Sequence, residues 1–395
     1  MDFNFHIKLK RGKAQNLERK HPWVFSGALL NVPAGITDGE LVQIVDENDR
    51  IMGFGHFHHG SIAVKLLGFA PEVYDEMFWT NRLSQALRLR KHLLKNNPNT
   101  NCFRWVHGEG DGLPGLIIDV YDHSVVIQCH TIGMHRQLNE IIQACTSCMP
   151  TESVVIYDKS KECLPTEYAR TQKNKLVYGT NQPIICLENE IRFEIDPLGG
   201  QKTGFFLDQR ENRKLLREYA NGATVLNAFC YTGGFSLAAL AGEAREVCSV
   251  DISSKAIEGC NQNVNLNPFN KSLHKSICAD VMDYLKEIEN AYYDLIILDP
   301  PAFAKSLNKR HQAVQAYKRL NMAALRKLKS GGLLFIFSCS QVVSEELFYH
   351  TLVSAGIESR KTIRVLHKLS QGPDHPVNLF HPEGQYLKGL VLEVE

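Results

Sequence analysis

The pattern of hydrophobic and polar positions changes twice along the chain and divides it into three sections. Residues 1–70 contain short apolar runs broken by turn-forming residues such as Asp38-Gly39. Closely spaced turn signals of this kind are typical of a small β-barrel-like module. The segment from Pro71 to Leu94 instead carries apolar side chains near helical spacing, which predicts one long helix.

The next section, up to about residue 195, mixes the two patterns, and we predict an α+β domain. Its predicted elements are a β-hairpin over residues 105–130, a helix near His135–Cys145, and short strands near residues 153–157, 184–187 and 191–195.

Beyond residue 205, five apolar strands alternate with turns and helical stretches. This alternation is typical of a parallel, doubly wound, Rossmann-like α/β sheet. Two further strands, near residues 361–367 and 386–394, end the chain with no helical pattern between them. A terminal antiparallel hairpin on such a sheet is a feature of class I S-adenosylmethionine (SAM) methyltransferases, and dinucleotide dehydrogenases usually lack it.

The composition excludes several classes of protein. The 395 residues are 44% hydrophobic and 22% charged, which argues against a disordered, collagen-like or coiled-coil chain. No apolar run approaches the roughly 18 residues that span a bilayer, and the N-terminus lacks a secretory signal. Eleven cysteines without an export signal predict reduced thiols in the cytoplasm. We therefore expect a cytoplasmic protein with no membrane partner.

The net charge of +1 conceals two basic clusters. The first lies within residues 8–20 and includes Lys10 and Arg11. The second extends from Lys305 to Lys329, where eight Lys or Arg occur without an acidic residue. Within this second cluster we predict that the RNA-binding residues are Lys309, Arg310, Lys318 and Arg319. Such stripes recognise phosphate backbones, and a solvated helix face is the alternative.

The ends of the first three parallel strands carry candidate cofactor-binding residues. The first strand leads into a loop in which Gly233 and Gly234 let the backbone pass close to a ligand. This loop is not G-x-G-x-x-G, so a bound pyrophosphate is poorly supported. Asp251, at the end of the second strand, lies where a ribose diol would bind, although a helix cap is the alternative. Asp280 ends the third strand and could accept a hydrogen bond from an adenine amino group.

The fourth and fifth strands carry residues suited to a nucleic-acid base. Asp299-Pro-Pro-Ala-Phe303 combines a carboxylate with a stiff backbone at the sheet edge. Cys339 ends the fifth strand, and a thiolate that adds to carbon 6 of a pyrimidine makes carbon 5 nucleophilic. We predict that Cys339 is this nucleophile and that Cys230 serves packing, the usual role of a free cysteine. Cys145 and Cys148, like the histidines of residues 56–59, lack further ligands, so no metal is predicted.

Together these residues resemble a known family, the bacterial large-subunit ribosomal RNA (23S rRNA) cytosine-carbon-5 methyltransferases with an N-terminal PUA domain. The matching stretches are GEGDGLPGLIIDVY (108–121), GGQKTGFFLDQREN (199–212), LNAFCYTGGFS (226–236), DPPAF (299–303), SCS (338–340), DHP (374–376) and PEGQYLKGL (382–390). The HFHH stretch and residues 162–170 differ from the family pattern. No second cysteine follows the prolines of DPPAF, so the group that assists release of Cys339 stays open.

The resemblance implies three domains: a PUA RNA-binding domain over residues 1–72, a central α+β domain over 73–195, and a methyltransferase domain over 196–395. It also implies further residues of the cofactor and base site, namely Gln201, Lys202, Thr203, Gly204, Phe205, Asp208, Asn227, Phe229 and Thr232. Lys202 is expected to face RNA.

We therefore predict a SAM-dependent methyltransferase of carbon 5 of a cytosine in large-subunit rRNA, with catalytic residues Cys339 and Asp299. One alternative keeps the fold but methylates an exocyclic amine of guanine or adenine, which needs no thiol. Another is a non-catalytic RNA-binding assembly factor with a vestigial SAM pocket. The sequence leaves open the modified nucleotide, whether naked rRNA or an assembly intermediate is bound, and whether the protein is a homodimer.

Overall fold

The computed structural model describes residues 3–149, 153–304 and 306–395, so Lys305 of the predicted basic stripe lies outside the described residues. The chain forms two units. The first comprises the residues up to Cys186 together with Ile195–Asp208 and Pro373–Gly384. The second comprises Leu187–Glu194, Gln209–Gly372 and Gln385–Glu395.

The N-terminal part of the first unit is a five-stranded sheet with the strand order β1-β3-β4-β5-β2. Its elements are β1 (Phe5–Lys8), α1 (Gln15–Glu18), β2 (Trp23–Phe25), β3 (Leu41–Val45), β4 (Ile51–Phe57) and β5 (Ile62–Phe69). β1 pairs with β3 in parallel, and the other pairs are antiparallel. Alternate apolar side chains such as Ile7, Val42 and Val64 form its core, which agrees with the predicted short strands.

The remainder of the first unit packs helices on a second five-stranded sheet, ordered β10-β9-β8-β7-β6. Its elements are α2 (Phe78–Leu94), β6 (Cys102–His107), β7 (Leu116–Tyr121), β8 (Ser124–Cys129), α3 (Ile132–Arg136), α4 (Leu138–Cys148), β9 (Val155–Asp158), α5 (Thr166–Ala169) and β10 (Lys175–Tyr178). Two short strands, β11 (Ile184–Glu188) and β12 (Ile191–Ile195), form a separate two-stranded sheet, of which Leu187–Glu194 belong to the second unit.

The predicted start of the long helix at Pro71 is wrong, because α2 begins at Phe78. The carboxylate of Asp75 accepts the amide N–H of Met77 at 3.0 Å, and the Asp75 carbonyl accepts that of Phe78. Such an aspartate turn gives the backbone an alternative to helix up to this point. The apolar spacing before residue 78 therefore did not determine the helix boundary.

The second unit is an α/β domain built on a seven-stranded sheet. Its elements are α6 (Arg210–Tyr219), β13 (Thr224–Ala228), α7 (Gly234–Ala241), β14 (Glu246–Asp251), α8 (Ser254–Leu266), β15 (His274–Cys278), α9 (Val281–Glu287), β16 (Tyr293–Leu298), α10 (Arg310–Lys327), β17 (Leu328–Ser338), α11 (Glu345–Ser359), β18 (Ile363–Leu369) and β19 (Lys388–Val394).

The order of this sheet is β15-β14-β13-β16-β17-β19-β18. β13 to β17 are parallel, whereas β19 pairs antiparallel with β17 and with β18. β13, β14, β16 and β17 are mostly buried because helices cover both faces of such a sheet, whereas the edge strand β15 is only partly buried. This arrangement confirms the predicted doubly wound sheet with its terminal antiparallel hairpin.

Among the residues that the structure describes, no helix is both long and apolar enough to cross a membrane.

Candidate active site

The strand register of the second unit brings the ends of its parallel strands to one edge of the sheet. Ala228 at the end of β13 lies opposite Leu298 of β16, which in turn lies opposite Ile336 of β17. On the other side, Ala228 lies opposite Val250 of β14. The loop after β13, Asp251, Asp299 and Cys339 all follow these positions. Open α/β sheets bind their ligands at this edge.

The loop after β13 has an unusual backbone conformation. Phe229, Tyr231 and Gly233 have φ angles of 61°, 47° and 85°, a region that costs energy for residues other than glycine. A Cβ on Gly233 would lie 2.5 Å from Sγ of Cys260, so a side chain has no room there. The loop is therefore held in a tight, strained turn beside the start of α7. Strained backbone of this kind is typical of ligand-binding loops.

Asp251 fastens this loop to the end of β14. One carboxylate oxygen accepts the amide N–H of Tyr231 at 2.9 Å, and the other accepts that of Ser253 at 2.9 Å. The helix cap itself is Ser253, whose hydroxyl accepts the amide N–H of Ala256. Asp251 is half-buried, and a carboxylate oxygen that accepts one amide has a further lone pair for a hydroxyl donor.

Asp280 has a clear structural role as the N-cap of α9. Its Oδ1 accepts the amide N–H groups of Met282 and Asp283 at 2.8 and 3.1 Å. The side chain is exposed at the sheet edge. Both this capping role and the expected hydrogen bond to an adenine amino group are compatible with its position, because Oδ2 is a second acceptor.

A buried polar network lies under the glycine loop. Asn227 donates to Oγ of Ser236 at 2.8 Å, and Ser236 contacts Ser249 at 2.6 Å. Oδ1 of Asn227 is buried and has no hydrogen-bond partner among the described residues. A buried acceptor without a donor is costly, so this oxygen suits the ammonium group of an amino-acid moiety. The strained loop, the Asp251 carboxylate and this oxygen together fit SAM. Phe229 and Thr232 belong to the same loop.

Asp299 accepts a hydrogen bond from Gln209, which lies in the turn before α6. Gln209 donates from its amide nitrogen to Oδ2 of Asp299 at 3.0 Å. Gln209 is held in this orientation because its amide oxygen accepts a hydrogen bond from Asn212 at 2.6 Å. Sequence reasoning missed Gln209 as a site residue, although it lies inside the stretch GGQKTGFFLDQREN. The hydrogen bond from this glutamine restricts the orientation of the carboxylate.

Cys339 lies in a polar segment after β17. Ser338 donates to the hydroxyl of Tyr317 at 3.0 Å, and Ser340 donates to the carbonyl of Ala304 at 3.0 Å. Both serines are buried, whereas Cys339 is partly exposed. Burial raises the pKa of Tyr317 to about 12, and negative charge on Cys339 and Asp299 adds to that rise. The charges of both predicted catalytic residues therefore act on the same tyrosine of α10.

The competing thiol, Cys230, has a different environment. Its contact with Cys260, together with burial, raises the pKa of the Cys230 thiol, and the same contact lowers that of Cys260. Cys260 also contacts His274 and Ser249. Because only the thiolate is a good nucleophile, a buried cysteine with a raised pKa is poorly suited to attack a base.

The predicted site residues between 201 and 208 belong to the first unit. The hydroxyl of Thr203 donates to Asp119 at 2.5 Å and contacts the hydroxyl of Tyr121 at 2.8 Å, which places Thr203 in a buried structural network. Gly204 has a φ of 122°, and a Cβ there would lie 2.6 Å from Cγ2 of Ile195. Of the others, Gln201 and Lys202 are exposed, Asp208 is half-buried and Phe205 is buried.

The basic residues predicted to bind RNA differ in their exposure to solvent and in their ion pairs. The side chains of Lys10, Arg11, Lys309, Arg310 and Arg319 are exposed. Lys10 donates to the carbonyl of Gly27 at 3.1 Å. Within the second stripe, three cations are engaged inside the second unit: Lys318 pairs with Glu358, Lys327 is buried and contacts Asn290, and Lys329 pairs with Asp294. The stripe thus combines solvated and structural cations.

One group of side chains in the described part of the chain has the spacing of a metal site. The ligand atoms of His21, His381 and Glu383 in the first unit lie within 4.8 Å of one another. However, Nδ1 of His21 accepts the amide N–H of Trp23 at 3.2 Å, so Nε2 of the neutral ring carries the proton. That nitrogen has no lone pair for a metal, and we assign no metal to this group.

Comparison with known families identifies the class. The family described as S-adenosylmethionine-dependent methyltransferase matches residues 177–377, and the PUA-like domain matches residues 7–69. The fold and the site therefore belong to a SAM-dependent methyltransferase with an N-terminal PUA-like domain, and its cofactor is SAM.

Full-length relatives identify the family more closely. The chain is 37% identical over 395 residues to ribosomal RNA large subunit methyltransferase I of Alteromonas mediterranea, with 98% of each chain covered. It is 36% identical over 393 residues to the protein of that name from Aeromonas hydrophila, again with 98% of each covered. The chain belongs to the ribosomal RNA large subunit methyltransferase I family.

Solved structures agree on the fold. A SAM-dependent methyltransferase from Streptococcus mutans superimposes with a TM-score of 0.83 at 23% sequence identity, over 98% of this chain and 100% of that chain. A methyltransferase solved in complex with SAH gives the same values.

Proposed function

We propose that this protein methylates carbon 5 of a cytosine in large-subunit ribosomal RNA through a covalent adduct with Cys339. The observation that carries the proposal is the register of β16 on β17, which brings the strand ends that lead into Asp299 and Cys339 together at the ligand-binding edge of the sheet. Family membership supports the rRNA substrate, because the relatives are named for it. We expect the reaction to take place in the cytoplasm, and we retain the three proposed domains over residues 1–72, 73–195 and 196–395.

The cofactor would be held by the residues around the strained loop of the second unit. Asn227 and the loop that contains Phe229, Thr232 and Gly233 would bind the amino-acid part, Asp251 the ribose and Asp280 the adenine. When bound, SAM supplies an electrophilic methyl group. Further contacts to the cofactor and the base are proposed for the 201–208 segment, through Gln201, Thr203, Gly204, Phe205 and Asp208.

The target cytosine has to leave its stack to reach a side chain at the sheet edge. Asp299, which accepts a hydrogen bond from Gln209, would accept one from the exocyclic amine and one from N3, which takes up a proton from solvent as Sγ adds to C6 and releases it when Sγ departs. Sγ of Cys339 would form a bond to C6, and the electron pair of the C5–C6 double bond would make C5 nucleophilic. After C5 is methylated, loss of its proton to a base and departure of Sγ from C6 restore the double bond.

The RNA itself would be held by its phosphates and its shape. Lys10 and Arg11 on the PUA-like domain, Lys202, and the exposed cations of the second stripe are the residues proposed for this contact.

The test replaces Cys339 with alanine and follows methyl transfer from labelled SAM to rRNA. We expect the Cys339→Ala variant to lose methyl transfer and to retain binding of SAM and RNA, because neither binding step needs the thiol. Wild-type protein should form a stable adduct with RNA that carries 5-fluorocytosine at the target, since fluorine cannot leave as the C5 proton does.

Two matched cysteine variants control this experiment. Cys148→Ala alters a thiol of the first unit that is also partly exposed, and Cys230→Ala alters the competing thiol. Both should still form the fluorocytosine adduct. Substantial methylation by Cys339→Ala, with the product on an exocyclic nitrogen, would overturn the proposal in favour of amine methylation. Absence of SAM binding by the wild-type protein would indicate a non-catalytic RNA-binding factor.

A further inference from the structure

Lys388 is a buried lysine beside the segment that carries Cys339. It is the first residue of β19, lies opposite Ser338 at the end of β17, and is 9% exposed. Its ammonium donates to the carbonyls of Ser340 and Tyr386, at 2.9 Å in each case. Burying an ammonium is expensive unless its donors are satisfied. A lysine in this position therefore needs a reason beyond packing.

The antiparallel pairing of β19 with β17 explains why Lys388 reaches this place. The first residue of β19 lies beside the last residue of β17, so its side chain extends along the Ser338–Ser340 segment. The hydrogen bond to the Ser340 carbonyl fastens the residue that directly follows Cys339. The terminal hairpin thus supplies a cation to a segment that is otherwise positioned by the parallel strands.

Among the described residues, titratable groups on four elements act on Cys339 or on Lys388. Tyr317 lies on α10 and Asp299 follows β16, Glu345 is the first residue of α11, and Lys388 belongs to β19. Burial lowers the pKa of Lys388, whereas negative charge on Cys339 and Glu345 raises it. A carboxylate close to a thiol, such as that of Asp299 at the neighbouring strand end, opposes its ionisation. Of these four groups, Lys388 is the one whose charge favours the thiolate.

We propose that Lys388 is a positioning residue whose ammonium fixes the backbone after Cys339 and stabilises the Cys339 thiolate. The inference rests on the proposed role of Cys339 as the nucleophile. A thiolate next to an ammonium attacks at neutral pH without a general base to remove its proton. Because the ammonium holds two backbone carbonyls, it keeps its place when the sulfur bonds to carbon and loses its negative charge.

The experiment measures the thiolate directly. The rate of alkylation of Cys339 by iodoacetamide is followed from pH 5 to 10, and the modified peptide is quantified by mass spectrometry. We expect the wild-type thiol to titrate below about 8.5, the ordinary cysteine value. In Lys388→Met the titration should move up by about one pH unit, which lowers the alkylation rate at pH 7 by up to about tenfold. The rate at high pH should stay the same.

Two variants control for effects of packing and of general charge. Lys388→Arg keeps the positive charge and should titrate within about half a unit of wild type. Lys368→Met removes an exposed lysine that pairs with Glu345 at 3.8 Å, and it should leave the Cys339 titration in place. In the methylation assay, Lys388→Met should lose activity at neutral pH and regain it as the pH rises, while Lys388→Arg should retain most of it.

A folded Lys388→Met protein with the wild-type titration would overturn the inference. If that variant does not fold, the other measurements decide. A wild-type Cys339 that titrates at or above about 8.5, or a shift of a full unit in Lys388→Arg, would each refute the charge effect. Failure of the proposed function is recognised separately. Methyl transfer by the Cys339→Ala variant would show that Cys339 is not the nucleophile, whereas the alkylation rates of Cys339 in the other proteins would stay the same.

Discussion

Replacement of Asp251 by alanine is expected to affect cofactor binding and stability together. The carboxylate accepts the amides of Tyr231 and Ser253 at 2.9 Å each, and a hydrogen bond to a charged group contributes about 1.5–3 kcal/mol. Because Asp251 is half-buried, water replaces part of these bonds in the variant. We therefore expect a loss of about 2 kcal/mol in the free energy of unfolding, below the sum of the two bonds.

The loss in SAM affinity has a separate origin. A hydrogen bond from the ribose to the Asp251 carboxylate would contribute a similar 1.5–3 kcal/mol, which corresponds to about 10- to 150-fold in affinity. Loosening of the strained loop at Tyr231 adds to this effect. Asp251→Asn should lose almost as much SAM affinity, because its amide group would place an N–H donor against one of the two backbone N–H donors.

Isothermal titration with SAM and thermal melts of the same preparations provide the two measurements. Asp46→Ala is the matched control, since the Asp46 carboxylate also accepts two backbone amides, those of Asn48 and Arg50, at 2.9 Å each. It should lower the melting temperature and leave SAM affinity unaltered. If Asp251→Ala has a lower melting temperature but binds SAM like wild type, Asp251 does not bind the ribose and only stabilises the loop after β13.

Two further predictions concern the RNA surface and the response to acid. Replacing Lys309, Arg310 and Arg319 with glutamine should weaken RNA binding and reduce the slope of log K against log salt by about 2–3, at 0.7–0.9 per phosphate contact. Lys318→Gln should leave that slope nearly unaltered because Lys318 pairs with Glu358, and an unaltered slope in the triple variant would reduce the stripe to a solvated helix face. Burial opposes ionisation of Asp294, but hydrogen bonds from Lys329 and the Thr224 amide lower its pKa below the ordinary 3.8. A lowered carboxyl pKa stabilises the folded state above that value and loses this effect as the pH falls through the folded-state pKa. Asp294→Asn should therefore lower the melting temperature at pH 7, with a difference from wild type that shrinks below pH 3.8, and a constant difference across this range would contradict the assignment.

Much of the second unit was predictable from local patterns. A strand that is covered on both faces has to be largely apolar, so β13, β14, β16 and β17 appear in the sequence as apolar runs between turns. Gly233 and Gly234 mark the loop where the backbone turns sharply, and Asp251, Asp299 and Cys339 each lie at the end of a predicted strand. Because all parallel strands of one sheet end at the same edge, these residues could be grouped without coordinates.

Other features depended on contacts that no local pattern records. Gln209 and Asp299 are 90 positions apart, and their hydrogen bond exists only because the turn before α6 lies beside the end of β16. Eight basic residues in one stripe look alike in the sequence, but Lys318 is neutralised by Glu358 on the neighbouring helix. The start of α2 also followed from a specific turn at Asp75.

The sequence by itself thus determined the order of the strands along the chain, the edge at which they end and the kinds of chemistry placed there. Only the tertiary structure decided which side chains orient and charge these groups. Lys388 is an example, because it reaches the segment of Cys339 only through the antiparallel register of β19 on β17. The physical reason is that apolar periodicity reflects burial, which each segment encodes locally. Hydrogen bonds and ion pairs between distant residues depend on strand order and register, which are properties of the assembled sheet.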